Sequence, residues 1–128
     1  MNFNMIRLKV AALMLLFSVV LQGQNPLRTI AESSGFTSTS NYEEVMTFIS
    51  SLKNSSAFVR TETIARSVEG RDIPLLVIGN PLPASPQDLK GDGRIVIYIQ
   101  ANIHAGEGEG KEASLMFARD LLADPGNE

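Results

Sequence analysis

The strongest constraint in this 128-residue sequence is one contiguous block: the apolar residues Ile95, Val96, Ile97, Tyr98 and Ile99, then a polar, glycine-rich stretch over residues 100–111, then Ala113, Met116, Phe117 and Leu121 at helical spacing. A short run that is apolar on both faces predicts a strand covered on both sides, the centre of a sheet rather than its edge. Strand, turn and helix in that order form the repeating unit of α/β folds, in which ligands bind in the crevice outside the carboxyl end of a central strand. The turn is therefore where chemistry is expected. Asp124, Pro125 and Gly126 predict the end of the helix.

Other segments fit around that unit. Ser40 and Glu43 have capping-box spacing, and Tyr42, Val45, Met46, Ile49 and Leu52 recur at helical spacing, which predicts a packing helix with Glu43, Glu44 and Lys53 on its wet side. Residues 58–65 alternate apolar and polar, residues 73–78 are an apolar run, and Glu69 and Gly70 lie between them. The pair predicts an antiparallel hairpin, with Pro74 at an edge because it cannot donate to a ladder. Residues 79–93, rich in proline, glycine and aspartate, read as a surface connection, and residues 24–40, polar and without a period, read as an extended lead-in. Residues 41–128 then make the start of a mixed β-sheet flanked by helices, an α/β unit with no internal repeat.

The first 23 residues predict a cleavable signal peptide. Arg7 and Lys9 precede an apolar run over residues 10–21 and then Gln22, Gly23 and Gln24, with cleavage expected after Gly23. Such a run rises about 18 Å as a helix against a hydrocarbon core of about 30 Å, too short for a stable membrane anchor. The expected location is secreted or periplasmic, in a bacterial setting. Beyond residue 23 nine bases face fourteen acids, which argues against a nucleic-acid partner because phosphate binding needs a basic face. With no cysteine there is no disulfide framework, thiolate-held metal or lipid-anchored cysteine.

Within the turn, His104 is the only histidine and Glu107 follows it by three. A turn can bring an imidazole nitrogen and a carboxylate onto one cation, and zinc accepts both donors. On spacing alone a histidine hydrogen-bonded at a strand end beside a solvated acid is the stronger reading, and it is the crevice position, with small residues that leave space for a ligand, that favours a metal site. Phosphate binding by Gly106, Gly108 and Gly110 is excluded. A P-loop needs glycine where Ala105 stands and Ser or Thr where Glu112 stands, the dinucleotide fingerprint needs its third glycine at Lys111, and Glu107, Glu109 and Glu112 would repel an anion.

Ser67-Val68-Glu69-Gly70-Arg71-Asp72-Ile73, followed by an apolar strand ending in Ile103-His104-Ala105-Gly106-Glu107 and a helix opening Gly110-Lys111-Glu112-Ala113, resembles the zinc carboxypeptidases of the carboxypeptidase A type. The resemblance covers roughly residues 29–122 and implies a carboxypeptidase-like α/β fold, a zinc cofactor and peptide or protein C-termini as substrate. It implies that His104 and Glu107 are the first two zinc ligands. Ser67, Glu69, Gly70 and Arg71 fall on the family's hairpin-turn motif, a structural role in which glycine permits the bend and Arg71 anchors a neighbouring carboxylate or carbonyl. Where digestive relatives carry a substrate-holding arginine before the glutamate, this chain has Gly106.

The resemblance also implies a third ligand, a histidine far downstream, and a later glutamate as general base, which is expected beyond Glu128. No catalytic residue is therefore assigned within the chain. No second histidine exists in it, so the expectation is an amino-terminal piece of a longer protein, roughly a third of the catalytic domain, inactive by itself. Two alternatives share the fold: an inactive secreted module that binds a peptide or wall fragment, and an amidase or deacylase that uses the same two ligands. C-terminal residue preference and oligomeric state are not legible.

Overall fold

The computed structural model describes residues 27–124, so the expected signal peptide lies outside the described residues, as does Glu128, the residue beyond which the general base is expected. In chain order the elements are helix α1 (Ile30–Ser33), helix α2 (Tyr42–Ser55), strands β1 (Val59–Arg66) and β2 (Asp72–Ile78), a 3-10 turn (Pro86–Leu89) and helix α3 (Gly108–Ala123). Helix α1 corrects the reading of residues 24–40 as wholly extended. Thr29 caps it: the Glu32 N–H donates to the Thr29 hydroxyl at 3.2 Å, and the Thr29 N–H donates back to the Glu32 carboxylate at 2.9 Å. That reciprocal pair satisfies two amides that a single helical turn would otherwise leave open.

Helix α2 begins one residue later than predicted. Asn41, not Ser40, is the N-cap, its side chain accepting the Glu44 N–H at 2.9 Å while Glu44 accepts the Asn41 N–H at 2.7 Å. Ser40 is unavailable for this role because its N–H is already bonded to the distant Glu112 carboxylate, which leaves Glu43 no cap amide to bond in return. From α2, Phe48, Ile49 and Leu52 turn inward and meet Leu115 and Ala118 of α3, with Leu27, Val45, Leu76, Ile78 and Leu122 packed against them. The predicted α2 stripe contains Ile49 and Leu52 and lacks Phe48.

The hairpin forms as predicted. Strands β1 and β2 are antiparallel, in register from Val59 opposite Ile78 to Arg66 opposite Asp72, with an irregularity between Thr63 and Ala65 where Pro74 lies opposite Thr63. At the turn Gly70 takes φ 78°, a backbone conformation that side chains oppose, and its N–H donates to the Ser67 carbonyl at 2.9 Å. Arg71 meets the Glu69 carboxylate at 3.0 Å and lies 5.6 Å from the centre of the Tyr42 ring, tying the hairpin turn to α2.

Two further expectations are corrected. Residues 95–99 form no strand: the only pairing among the described residues is β1 with β2, and the run is exposed, from 54% at Ile99 to 87% at Ile95. An apolar run predicts a strand only where a neighbour supplies ladder partners, and none of the described residues does. Helix α3 faces the core with Glu112, Leu115 and Ala118, whereas Phe117 and Leu121 of the predicted stripe are exposed. A buried carboxylate on the inner face breaks the apolar pattern that would have marked it. Truncating Leu52, 1% exposed, is expected to cost about 2–5 kcal/mol. Ile64→Ala, at a site 54% exposed, is expected to change stability by less than about 0.5 kcal/mol. Urea denaturation of both variants checks the assigned core.

Candidate metal centre at the His104 turn

The chain approaches the turn through Asn102, whose φ of 59° is one of the few positive values outside glycine and suits asparagine better than most residues. The Glu107 N–H donates to the His104 carbonyl at 3.0 Å, and the His104 N–H reaches back to one Glu107 carboxylate oxygen at 3.4 Å. The other oxygen lies 2.8 Å from His104 Nδ1. Because a carboxylate only accepts, this contact places a proton on Nδ1. Glu107 is also the N-cap of α3, yet its side chain makes no bond to the helix amides and is spent on His104.

These two residues, three apart in sequence, therefore meet on one turn. Their side chains are 80% and 53% exposed, so a ligand can reach them from solvent, and their pairing contributes little to stability. The donor set suits a borderline divalent cation. His104 and Glu107 would be the residues to hold such an ion, one supplying an imidazole nitrogen and the other a carboxylate oxygen. A catalytic site requires a third protein ligand. Among the described residues no group of three metal-ligating side chains comes together. Glu128, an acid at the carboxyl end of the sequence, lies outside the described residues and is assigned no part in the site. Two concave surfaces, of about 340 Å³ beside the hairpin turn and about 250 Å³ between α1 and α2, include neither His104 nor Glu107.

The helix that follows the turn is tied to the amino-terminal segment by a group that sequence reasoning treats only as a charge repelling phosphate. Glu112, 2% exposed, accepts the N–H of Ser40 and, at 3.4 Å, that of Ala31. Burial raises its pKa, but the Ser40 N–H and hydroxyl, the Ala31 N–H and the Thr29 hydroxyl outweigh burial and hold the carboxyl below its ordinary 4.5. Lys111 donates to the Ser40 carbonyl and lies 3.5 Å from the same carboxylate. Two turns further along α3, Arg119 binds the Glu32 carboxylate at 2.6 Å and the Leu27 carbonyl at 2.9 Å. The Asp120 and Glu32 carboxylates raise the pKa of Arg119, and its guanidinium lowers that of Glu32. Only the spacing of Thr29 and Glu32, a capping-box match, could have flagged the segment to which α3 is tied.

A carboxyl with a depressed folded-state pKa stabilises the fold above its unfolded value, and that contribution is lost as pH falls through the folded value. The melting-temperature gap between the protein and Glu112→Gln is therefore expected to be full above about pH 5 and to shrink as pH drops below 4.5. A gap independent of pH down to full acid unfolding would contradict the assignment of an ionised, buried Glu112.

The zinc carboxypeptidase family pattern matches residues 45–128, a stretch that holds the hairpin, the His104 turn and α3. No curated protein and no solved structure matches the chain. The helices and the two-stranded antiparallel sheet are consistent with an incomplete carboxypeptidase-like α/β fold. Since the match takes in more than half of its length, the chain belongs to the zinc carboxypeptidase family.

Proposed function

We propose that this chain contributes the first two zinc ligands, His104 and Glu107, of a metallocarboxypeptidase that releases C-terminal amino acids from peptides. The observation that carries the reading is the approach of His104 Nδ1 to the Glu107 carboxylate, 2.8 Å apart on an exposed turn of a zinc carboxypeptidase family member. Such an ion, when bound, polarises the scissile carbonyl and lowers the pKa of its water. Were the ion held through Nδ1, the neutral His104 ring would carry its proton on Nε2, and the Glu107 carboxylate would face the cation in place of Nδ1. Gly106, between them, presents no side chain to an incoming peptide.

The third ligand and the general base belong, in this reading, to residues beyond Glu128, since the sequence has no second histidine. The chain alone then binds zinc weakly and hydrolyses nothing. Export to the periplasm or medium is part of the same proposal and rests on Arg7, Lys9 and the apolar run over residues 10–21. N-terminal sequencing of the exported protein is expected to begin at Gln24, and retention of Met1 would contradict export with cleavage.

Zinc titration of the full chain, followed by 1H–15N NMR, is expected to perturb residues around His104 and Glu107. His104→Ala and Glu107→Gln are each expected to weaken binding by more than about tenfold, since even outer-shell losses at metal sites reach that size. Unchanged zinc affinity in His104→Ala would overturn the ligand assignment. Zinc-dependent release of C-terminal amino acids by the chain alone, lost in His104→Ala, would overturn the two-ligand reading.

A further inference from the structure

We propose that the segment Thr39–Ser40, gripped by Glu112, is a positioning element for the metal turn: it fixes the first turn of α3, and with it the direction from which Glu107 meets His104. The inference rests on the ligand assignment made above and adds residues outside it. Three observations converge on the same few ångströms of chain. The buried Glu112 carboxylate takes the Ser40 N–H on one oxygen and the Ala31 N–H on the other. Lys111 donates to the Ser40 carbonyl, so that residue is held at both its N–H and its carbonyl. Gly108, directly after Glu107, lies so close to Thr39 that an added Cβ would come within 3.2 Å of the Thr39 methyl group.

The placement gives these contacts leverage over the turn. Glu107 is the N-cap of α3, and its backbone direction is set by the residues that open the helix, Gly108 to Glu112. The turn offers no comparable support of its own, because His104 and Glu107 are exposed and bond chiefly to each other. Its position is thus inherited from α3, and the start of α3 is pinned by Ser40 and spaced by Thr39. Arg119 ties the same amino-terminal segment to α3, but seven residues further along the helix. It secures the segment without touching the turn.

Glu112 does not contact the ion in this account, and neither does Thr39. They act through Glu107 and are positioning residues. Replacing Glu112 by Gln removes the carboxylate while keeping its shape. One of its two acceptor positions then becomes an NH2 facing an amide N–H, so Ser40 and Ala31 cannot both be satisfied. Replacing Gly108 by Ala pushes on the Thr39 methyl by a few tenths of an ångström. Thr39→Ser removes that methyl and relieves the push.

The test is NMR titration of the full chain with zinc ions, reading the dissociation constant, together with the visible spectrum of the cobalt(II)-loaded chain and the melting temperature. Glu112→Gln and Gly108→Ala are each expected to weaken zinc binding by about tenfold and to alter the cobalt spectrum. Thr39→Ser in the Gly108→Ala background is expected to restore both, and Arg119→Met, which loosens the other tie, is expected to lower the melting temperature with zinc affinity kept. If Glu112→Gln fails to fold, the Gly108→Ala and Thr39→Ser pair decides. Zinc affinity unchanged in Gly108→Ala, or lowered by Arg119→Met as much as by Glu112→Gln, would overturn the positioning role. His104→Ala keeps the two readings apart: loss of zinc binding there with no effect of Gly108→Ala refutes positioning alone, whereas unchanged binding there refutes the ligand assignment on which it rests.

Discussion

Glu112 puts an ionised carboxylate almost wholly out of water and is compensated by backbone amides from two separate stretches of chain, Ala31 and Ser40. A buried charge persists only where such donors converge on it, so the carboxylate, α1 and the start of α2 specify one another. That single group ties α1 to α3, occupies the Ser40 N–H so that Asn41 caps α2, and lies on the face of α3 that turns Leu115 and Ala118 toward Phe48, Ile49 and Leu52. Among the described residues no buried side-chain nitrogen or oxygen lacks a hydrogen-bond partner, so the polar network is closed as well as buried.

The apolar surface is distributed unevenly around this network. The core lies between α2, α3 and one face of the hairpin, while residues 95–99 and the Phe117 and Leu121 side of α3 have no cover among the described residues. Both exposures have the same origin. Among the described residues the sheet holds one pairing, β1 with β2, and a two-stranded ribbon has too little surface to cover a further strand and the outer side of a helix. No helix among the described residues is long and apolar enough to cross a membrane.

The hairpin is legible in the sequence because its signals are local: alternation in residues 58–65, an apolar run in residues 73–78 and a glycine at the bend suffice without knowledge of the rest of the chain. The His104 turn is legible for a similar reason, since three residues of separation leave little freedom and the hydrogen bonds that join His104 to Glu107 lie within the turn itself. What depends on distant partners is not. Hydropathy gives a buried Glu112 the same weight as a solvated one, so the apolar stripe through Phe117 and Leu121 looks like the inner face. Residues 95–99 have the composition of a central strand, but composition cannot supply neighbours. The shift of the α2 cap by one residue has the same cause, because Ser40 is claimed by a group 72 positions away.

A family assignment over residues 45–128 and a particular arrangement of two side chains on one exposed turn meet in the proposal that His104 and Glu107 would hold a zinc ion. Anomalous diffraction at the zinc edge from crystals of the zinc-soaked chain tests this most directly. The account predicts a peak about 2.1 Å from His104 Nδ1 and from one Glu107 carboxylate oxygen, with the Glu112 carboxylate still on Ser40. A peak at other carboxylates, with His104 still hydrogen-bonded to Glu107, would contradict it.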